Sequence, residues 1–257
     1  MKEFSFRAMT LDKDRPKATR GQKVKAATKF KRPAAAEREY ERQLRSVAKQ
    51  VGHLIKLYQD GARMLPGFDK AIAGYVEALA PWASRVAERM LEAVGRTNYR
   101  QWMASSRAIG RELKADVNVM EARLIQQEQV VLIQSLPTEA AARAQKLAFD
   151  AAIGGRRIDE IEAEIKRSGE VTAARATLIA RTEVAKANST ITETRAKSVG
   201  STQYIWRTAE DAAVRESHAE MEGVVVDWDN PPTLSDGTTT HAGMIYNCRC
   251  YAEPIIE

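Results

Sequence analysis

Between Ala34 and Tyr58 the apolar side chains return at alternating steps of four and three: Tyr40, Leu44, Val47, Val51, Leu54 and Tyr58. That spacing lays one stripe along a helix and does not suit a strand, where successive residues alternate between faces. A related pattern follows in Ile72, Val76, Leu79, Val86, Met90 and Val94. Helices packed through such stripes therefore dominate the chain. Aromatic residues, at only 6% of the sequence, favour the same solution over a thick sheet.

Local breakers divide this helical region. Leu65-Pro66-Gly67 ends the first helix, and Pro81 is expected to interrupt the second. Residues 98 to 135 are helical again, with a division near Gly110, and Leu136-Pro137-Thr138-Glu139 has the form of a helix restart capped by Thr138. Gly154-Gly155 stops that helix. Ile158, Ile161 and Ile165 make one face of a short unit closed by Gly169, and a last helix runs from Val171 to about Val199, ended by Gly200. Trp82 and Trp102 are expected as core fillers, and His53 as a partly exposed helical residue.

Beyond Gly200 the pattern changes. Tyr204-Ile205-Trp206 and Val224-Val225-Val226-Asp227-Trp228 favour short strands around a helix from about Glu210 to Met221, with an irregular loop at Asn230-Pro231-Pro232 and Ser235-Asp236-Gly237. The expected fold class is mainly α with a small α+β C-terminal module and an extended basic N-terminal arm. The boundaries are 1–33 for the arm, 34–199 for the helical body and 200–257 for the module. No solenoid repeat, phosphate loop, Gly-x-Ser-x-Gly elbow or GxGxxG turn is present. No run of eighteen apolar residues and no secretory leader occur, so a chain made and kept in the cytoplasm, without membrane contact, is expected.

Charge is distributed unevenly. Residues 1–32 carry eleven positive and three negative side chains, a net of +8, so the remainder of this +6 chain sums to −2. Lys13, Arg15, Lys17, Arg20, Lys23, Lys25, Lys29, Lys31 and Arg32 form the densest part. A basic, apolar-poor segment broken by Pro16, Gly21 and Pro33 suits a flexible arm that seeks a polyanion, with double-stranded DNA the obvious one. A solvated tail and a ligand for an acidic protein surface are the alternatives.

Four residues near the C-terminus carry most of the chemistry: His218, His241, Cys248 and Cys250. Two imidazoles and two thiolates are a tetrahedral zinc set, and an ion would brace a small module. Only Arg249 separates the cysteines, however, and side chains two apart on a strand diverge by roughly 6 to 7 Å, so a zinc site requires a local bend. The alternative is that these groups simply pack and hydrogen-bond. A nuclease would use His218 or His241 as general base with Asp211 or Asp227 on a metal, but the spacing of a His/Asn/His site is lacking. A non-enzymatic protein is the expectation.

The order of residues adds a further pointer. Ile179-Ala180-Arg181-Thr182-Glu183 is followed by Trp206-Arg207-Thr208-Ala209, Asp211, Arg215 and His218, then Gly223, Pro232, His241, Gly243 and a closing Asn247-Cys248-Arg249-Cys250 with Pro254. This series, over about residues 120 to 256, resembles the Mu F-like head-morphogenesis family of tailed phages. One departure is His241-Ala242-Gly243, where the family commonly has His-Pro-Gly. The resemblance implies a minor head protein inside the virion, assembled in the host cytoplasm, contacting the portal or the major capsid protein and accompanying DNA packaging or ejection. The basic arm and first helices lie outside it.

Overall fold

A computed structural model of the chain describes Lys17 and residues 30–110, 112–113, 119–154 and 157–256. Of the arm's basic residues, Lys13, Arg15, Arg20, Lys23, Lys25 and Lys29 lie outside the described residues. Lys17, Lys31 and Arg32 lie within them.

The described residues form a mainly α fold with a small α+β module. Helix α1 spans Ala34–Tyr58, followed by a two-residue hairpin, β1 Gln59–Asp60 and β2 Arg63–Met64. Helices α2 (Phe68–Ile109), α3 (Val119–Ile153) and α4 (Ile158–Ser198) follow, then β3 (Gln203–Arg207), the one-turn α5 (Glu216–Ala219), β4 (Val225–Asp227) and β5 (Tyr251–Pro254).

Three expected breaks are absent. Pro81 lies inside α2 and Pro137 inside α3. Pro81 faces solvent, where water can take the carbonyl that loses its partner, while Leu79, Ala83 and Val86 on the opposite face are buried. Around Pro137 the buried Ile133, Leu136 and Ala140 carry the helix through, and Thr138 Oγ1 donates back to the Gln134 carbonyl at 3.2 Å instead of capping a new start. Gly169 lies within α4, where a Cβ would stand 3.6 Å from Gly52 Cα of α1. It marks a close helix crossing, and the expected stop is replaced by a contact.

The chain divides into two compact units. One, residues 33–97 and 118–187, is built from helices and the β1–β2 hairpin, with a core from Tyr40, Leu44, Val47, Val51 and Ile55 of α1 and from Ile133, Leu136, Ile161 and Ile165. Trp82 is half-buried, and His53 is exposed. A buried polar chain runs through this core: Tyr40 Oη donates to Gln129 Oε1 at 3.0 Å, and Gln129 Nε2 donates to Glu183 Oε2 at 2.9 Å.

The second unit comprises residues 1–32, 98–117 and 188–257, so it takes in the ends of α2 and α4 as well as strands β3, β4 and β5. The α4 end is closed as the sequence suggests: Gly200 has φ +82, with Ser201 N–H on the Ala196 carbonyl and Gly200 N–H on the Lys197 carbonyl. Strand β3 lies between β4 and β5, antiparallel to both. Tyr204 and Trp206 point to one face, into a core with Trp102, Val226, Trp228, Leu234, Cys248 and Cys250; Ile205 points to the other, with Val225 and Ile255.

The expected helix over Glu210–Met221 shrinks to the four residues of α5. Glu210 takes a left-handed φ of +52, and Asp211 Oδ1 accepts the Ala213 N–H in a side-chain turn that competes with helical bonding. Strand β5 is an additional element that the alternation pattern does not reveal.

Candidate functional site

Strand β3 supplies the floor of the site. Trp206, fully buried, stands edge-on to the His218 ring with centroids 5.8 Å apart. Helix α5 delivers His218, and the turn before β5 delivers the two sulfurs. His218 Nδ1 lies 3.4 Å from Cys250 Sγ and 3.4 Å from Cys248 Sγ. All three side chains are buried, and their ligand atoms lie within 4.8 Å of one another.

The bend needed to bring two cysteines of a Cys-x-Cys together is supplied at Asn247, which has φ +55. Cys248 N–H donates to the Ile245 carbonyl at 3.2 Å, and Cys250 N–H donates to Cys248 Sγ at 3.3 Å. The chain thus curls around the first sulfur. Neighbouring signature residues hold this curl from outside. Arg249 Nη1 donates to Asp211 Oδ2 at 2.6 Å, and Arg215 Nη2 donates to the Tyr246 carbonyl at 2.9 Å.

The two sulfurs are electrostatically unequal. The Cys250 thiol hydrogen-bonds Cys248 and, with help from His218, holds the Cys248 thiol far below its ordinary value despite burial. The same shared bond, together with burial, pushes Cys250 up. Chemically, the group offers one imidazole nitrogen and two soft sulfurs to a borderline or soft metal.

His241 occupies a different place. Its Nδ1 is 3.0 Å from Tyr204 Oη, and its ring packs against Tyr204 and Trp228. Tyr204 Oη also accepts the Ala242 N–H at 3.3 Å, which ties the His241 segment to β3. The four-residue zinc set of the sequence is thus three residues in space, with His241 joined to the tyrosine.

The acids of the nuclease alternative are engaged elsewhere: Asp211 with Arg249, and Asp227 Oδ1 with Gln203 Nε2 at 2.6 Å. Among the described residues no carboxylate joins the His218 group. Arg181 and Glu183 belong to the helical unit, where Arg181 Nε faces Glu37 at 3.5 Å and Glu183 pairs with Lys186 at 3.1 Å. Of the arm, Lys17 forms an isolated antiparallel bridge with Val224 and lines a groove of about 300 Å³ with Met221 and Leu234.

Several residues that shape the site carry no motif. Tyr204 is one. Another is Glu253, buried beside β3, whose Oε2 accepts Arg207 Nε at 2.5 Å. Glu222 takes Arg207 Nη1 at 3.0 Å and the Thr208 N–H at 2.6 Å. Burial alone lowers the Arg207 value, but these two carboxylates outweigh it and raise it.

A mainly helical protein with a compact α+β module built around a buried His–Cys–Cys group is the class these features define. Residues 142–253 match the model of the Phage Mu protein F like protein family. The chain is also 35% identical over 141 residues to an uncharacterized protein of Haemophilus influenzae. That alignment covers 55% of this chain and 30% of the relative's length. No solved structure matches the chain.

Proposed function

We propose that the chain is a non-enzymatic minor head protein of a tailed bacteriophage, an internal virion component at or near the portal that assists head assembly and DNA packaging or ejection. The family match over residues 142–253 carries this reading, since it spans the β3 floor, His218 and both cysteines. The chemistry of the site supports a bracing role: His218 and the cysteines are buried, and the flanking Asp211, Arg215 and Arg249 are spent on holding the turn. The basic arm supplies the DNA contact, because eleven cations in residues 1–32 are suited to counterion release on a phosphate backbone.

The test is particle composition. Virions of the phage encoding this chain are purified and opened, and head shells, portals and released DNA are separated and probed for it. Recovery with the portal fraction at low copy supports the proposal. Absence from particles, with normal heads formed by a phage lacking the gene, refutes it.

A further inference from the structure

We propose that His218 Nδ1 and the thiolates of Cys248 and Cys250 hold one zinc ion, which clamps α5 to the turn that opens β5. Zinc–nitrogen bonds of about 2.0 Å and zinc–sulfur bonds of about 2.3 Å in a tetrahedron place nitrogen and sulfur about 3.5 Å apart. Both His218–cysteine separations are 3.4 Å. Both nitrogen–sulfur edges of such a site are already in place, and the two sulfurs lie within 4.8 Å of each other.

Three further features point the same way. The left-handed Asn247 and the Cys250 N–H on Cys248 Sγ curl the Cys-x-Cys segment so that both sulfurs face one nitrogen, which an extended strand cannot do. The donor set is nitrogen and sulfur only, which selects zinc and other thiophilic ions over magnesium and calcium. The site is buried, with His218 and the cysteines 2 to 3% exposed. His218, Cys248 and Cys250 supply three of the four positions of the tetrahedron. Both cysteines bind as thiolates, and any thiol protons pass to solvent as the ion enters.

The clamp has a structural purpose. His218 and Cys250 are 32 positions apart, and the intervening chain contains β4 and long irregular stretches. An ion joining its two ends closes that loop around the Tyr204–Trp206 face. This inference stands apart from the role in the head: the purified chain would carry zinc even if it were absent from virions.

The experiment uses the full chain, produced in zinc-supplemented medium and dialysed without chelator. Elemental analysis is expected to give about one zinc per chain, and cobalt added after chelation is expected to produce an intense thiolate-to-cobalt charge-transfer band. Chelation should lower the melting temperature of the wild-type chain, and zinc should restore it. Cys250→Ser and His218→Ala should each lose most of the bound metal and weaken the cobalt band. Zinc below about one tenth per chain in the wild type, with no cobalt band, overturns the proposal whatever the variants do. A Cys248–Cys250 disulfide in the freshly purified chain, seen as the loss of two hydrogens by mass, also overturns it.

Discussion

Arg249, the one residue between the two cysteines, forks onto Asp211, 38 positions earlier in the chain. Both guanidinium nitrogens reach the carboxylate. The pair spans from the bend before α5 to the thiol turn, so one ion pair fixes the position of both sulfurs relative to the helix that carries His218. Although desolvation opposes it, the Ala213 N–H and then Arg249 hold the Asp211 carboxyl below its usual range.

Asp211→Asn removes the charge and half of the fork. In the reduced, chelator-treated chain the rate of thiol labelling should rise about threefold or more, with far-UV circular dichroism unchanged, because the turn opens while the helices stay intact. Arg249→Lys should give part of the effect, since an ammonium cannot make the paired contact. Equal labelling rates in all three proteins would remove the latch role from this pair.

The crossing of α1 and α4 at Gly52 and Gly169 supports a second expectation. A Cβ at Gly169 sits 3.6 Å from Gly52 Cα, an ordinary contact distance. Gly169→Ala should therefore be neutral or stabilise the chain by up to about 1 kcal/mol through helix propensity. Gly169→Leu has no room for its branch and should cost about 1 to 3 kcal/mol. Urea denaturation followed by circular dichroism measures both, and a neutral leucine variant would show that the helices do not cross closely.

This position also shows where sequence reasoning stops. The α1 stripe is legible because its period is a property of the segment alone, and Tyr40, Leu44, Val47 and Val51 are buried as the spacing requires. Gly169, Pro81 and Pro137 look like breaks because a local rule ignores the partners that hold a helix through them. The module's first two strands are visible in runs of Tyr, Ile, Trp and Val. Strand β5 is not, because its Glu253 is a buried acid whose reason lies 46 residues away at Arg207. His218 and the cysteines can be named from residue type, but only the turn at Asn247 shows that both sulfurs meet one imidazole and that His241 belongs with Tyr204.

Arg207 and Glu253 form the least exposed ion pair of the strand-bearing unit among the described residues, with side chains 19% and 3% exposed. Removing the acid leaves a largely buried guanidinium with Glu222 alone. Glu253→Ala should destabilise this unit by about 2 to 3 kcal/mol, somewhat below the usual loss for a broken buried pair because Glu222 remains. Trp206, next to Arg207 on β3, reports the transition by fluorescence. A loss under about 0.5 kcal/mol would mean that the pair behaves as a surface contact.

The arm calls for a subtler probe than truncation. Phe30 is buried, and its ring meets Trp102 edge-on with centroids 5.4 Å apart, while the Lys31 carbonyl accepts Gln101 Nε2 at 2.8 Å. Deleting residues 1–33 would therefore strip part of a core along with the charge, and lost DNA binding could reflect a damaged fold. Changing Lys13, Arg15, Arg20, Lys23, Lys25 and Lys29 to glutamine keeps Phe30, Lys31 and the Lys17 bridge to Val224 in place. Each phosphate contact contributes about 0.9 to the slope of log affinity against log salt, so the slope should fall by up to about 5 while the melting temperature holds. Fluorescence anisotropy on duplex DNA across a salt series measures it. An unchanged slope would exclude those six side chains from the DNA contact and leave a solvated tail or a ligand for an acidic protein surface as the arm's role.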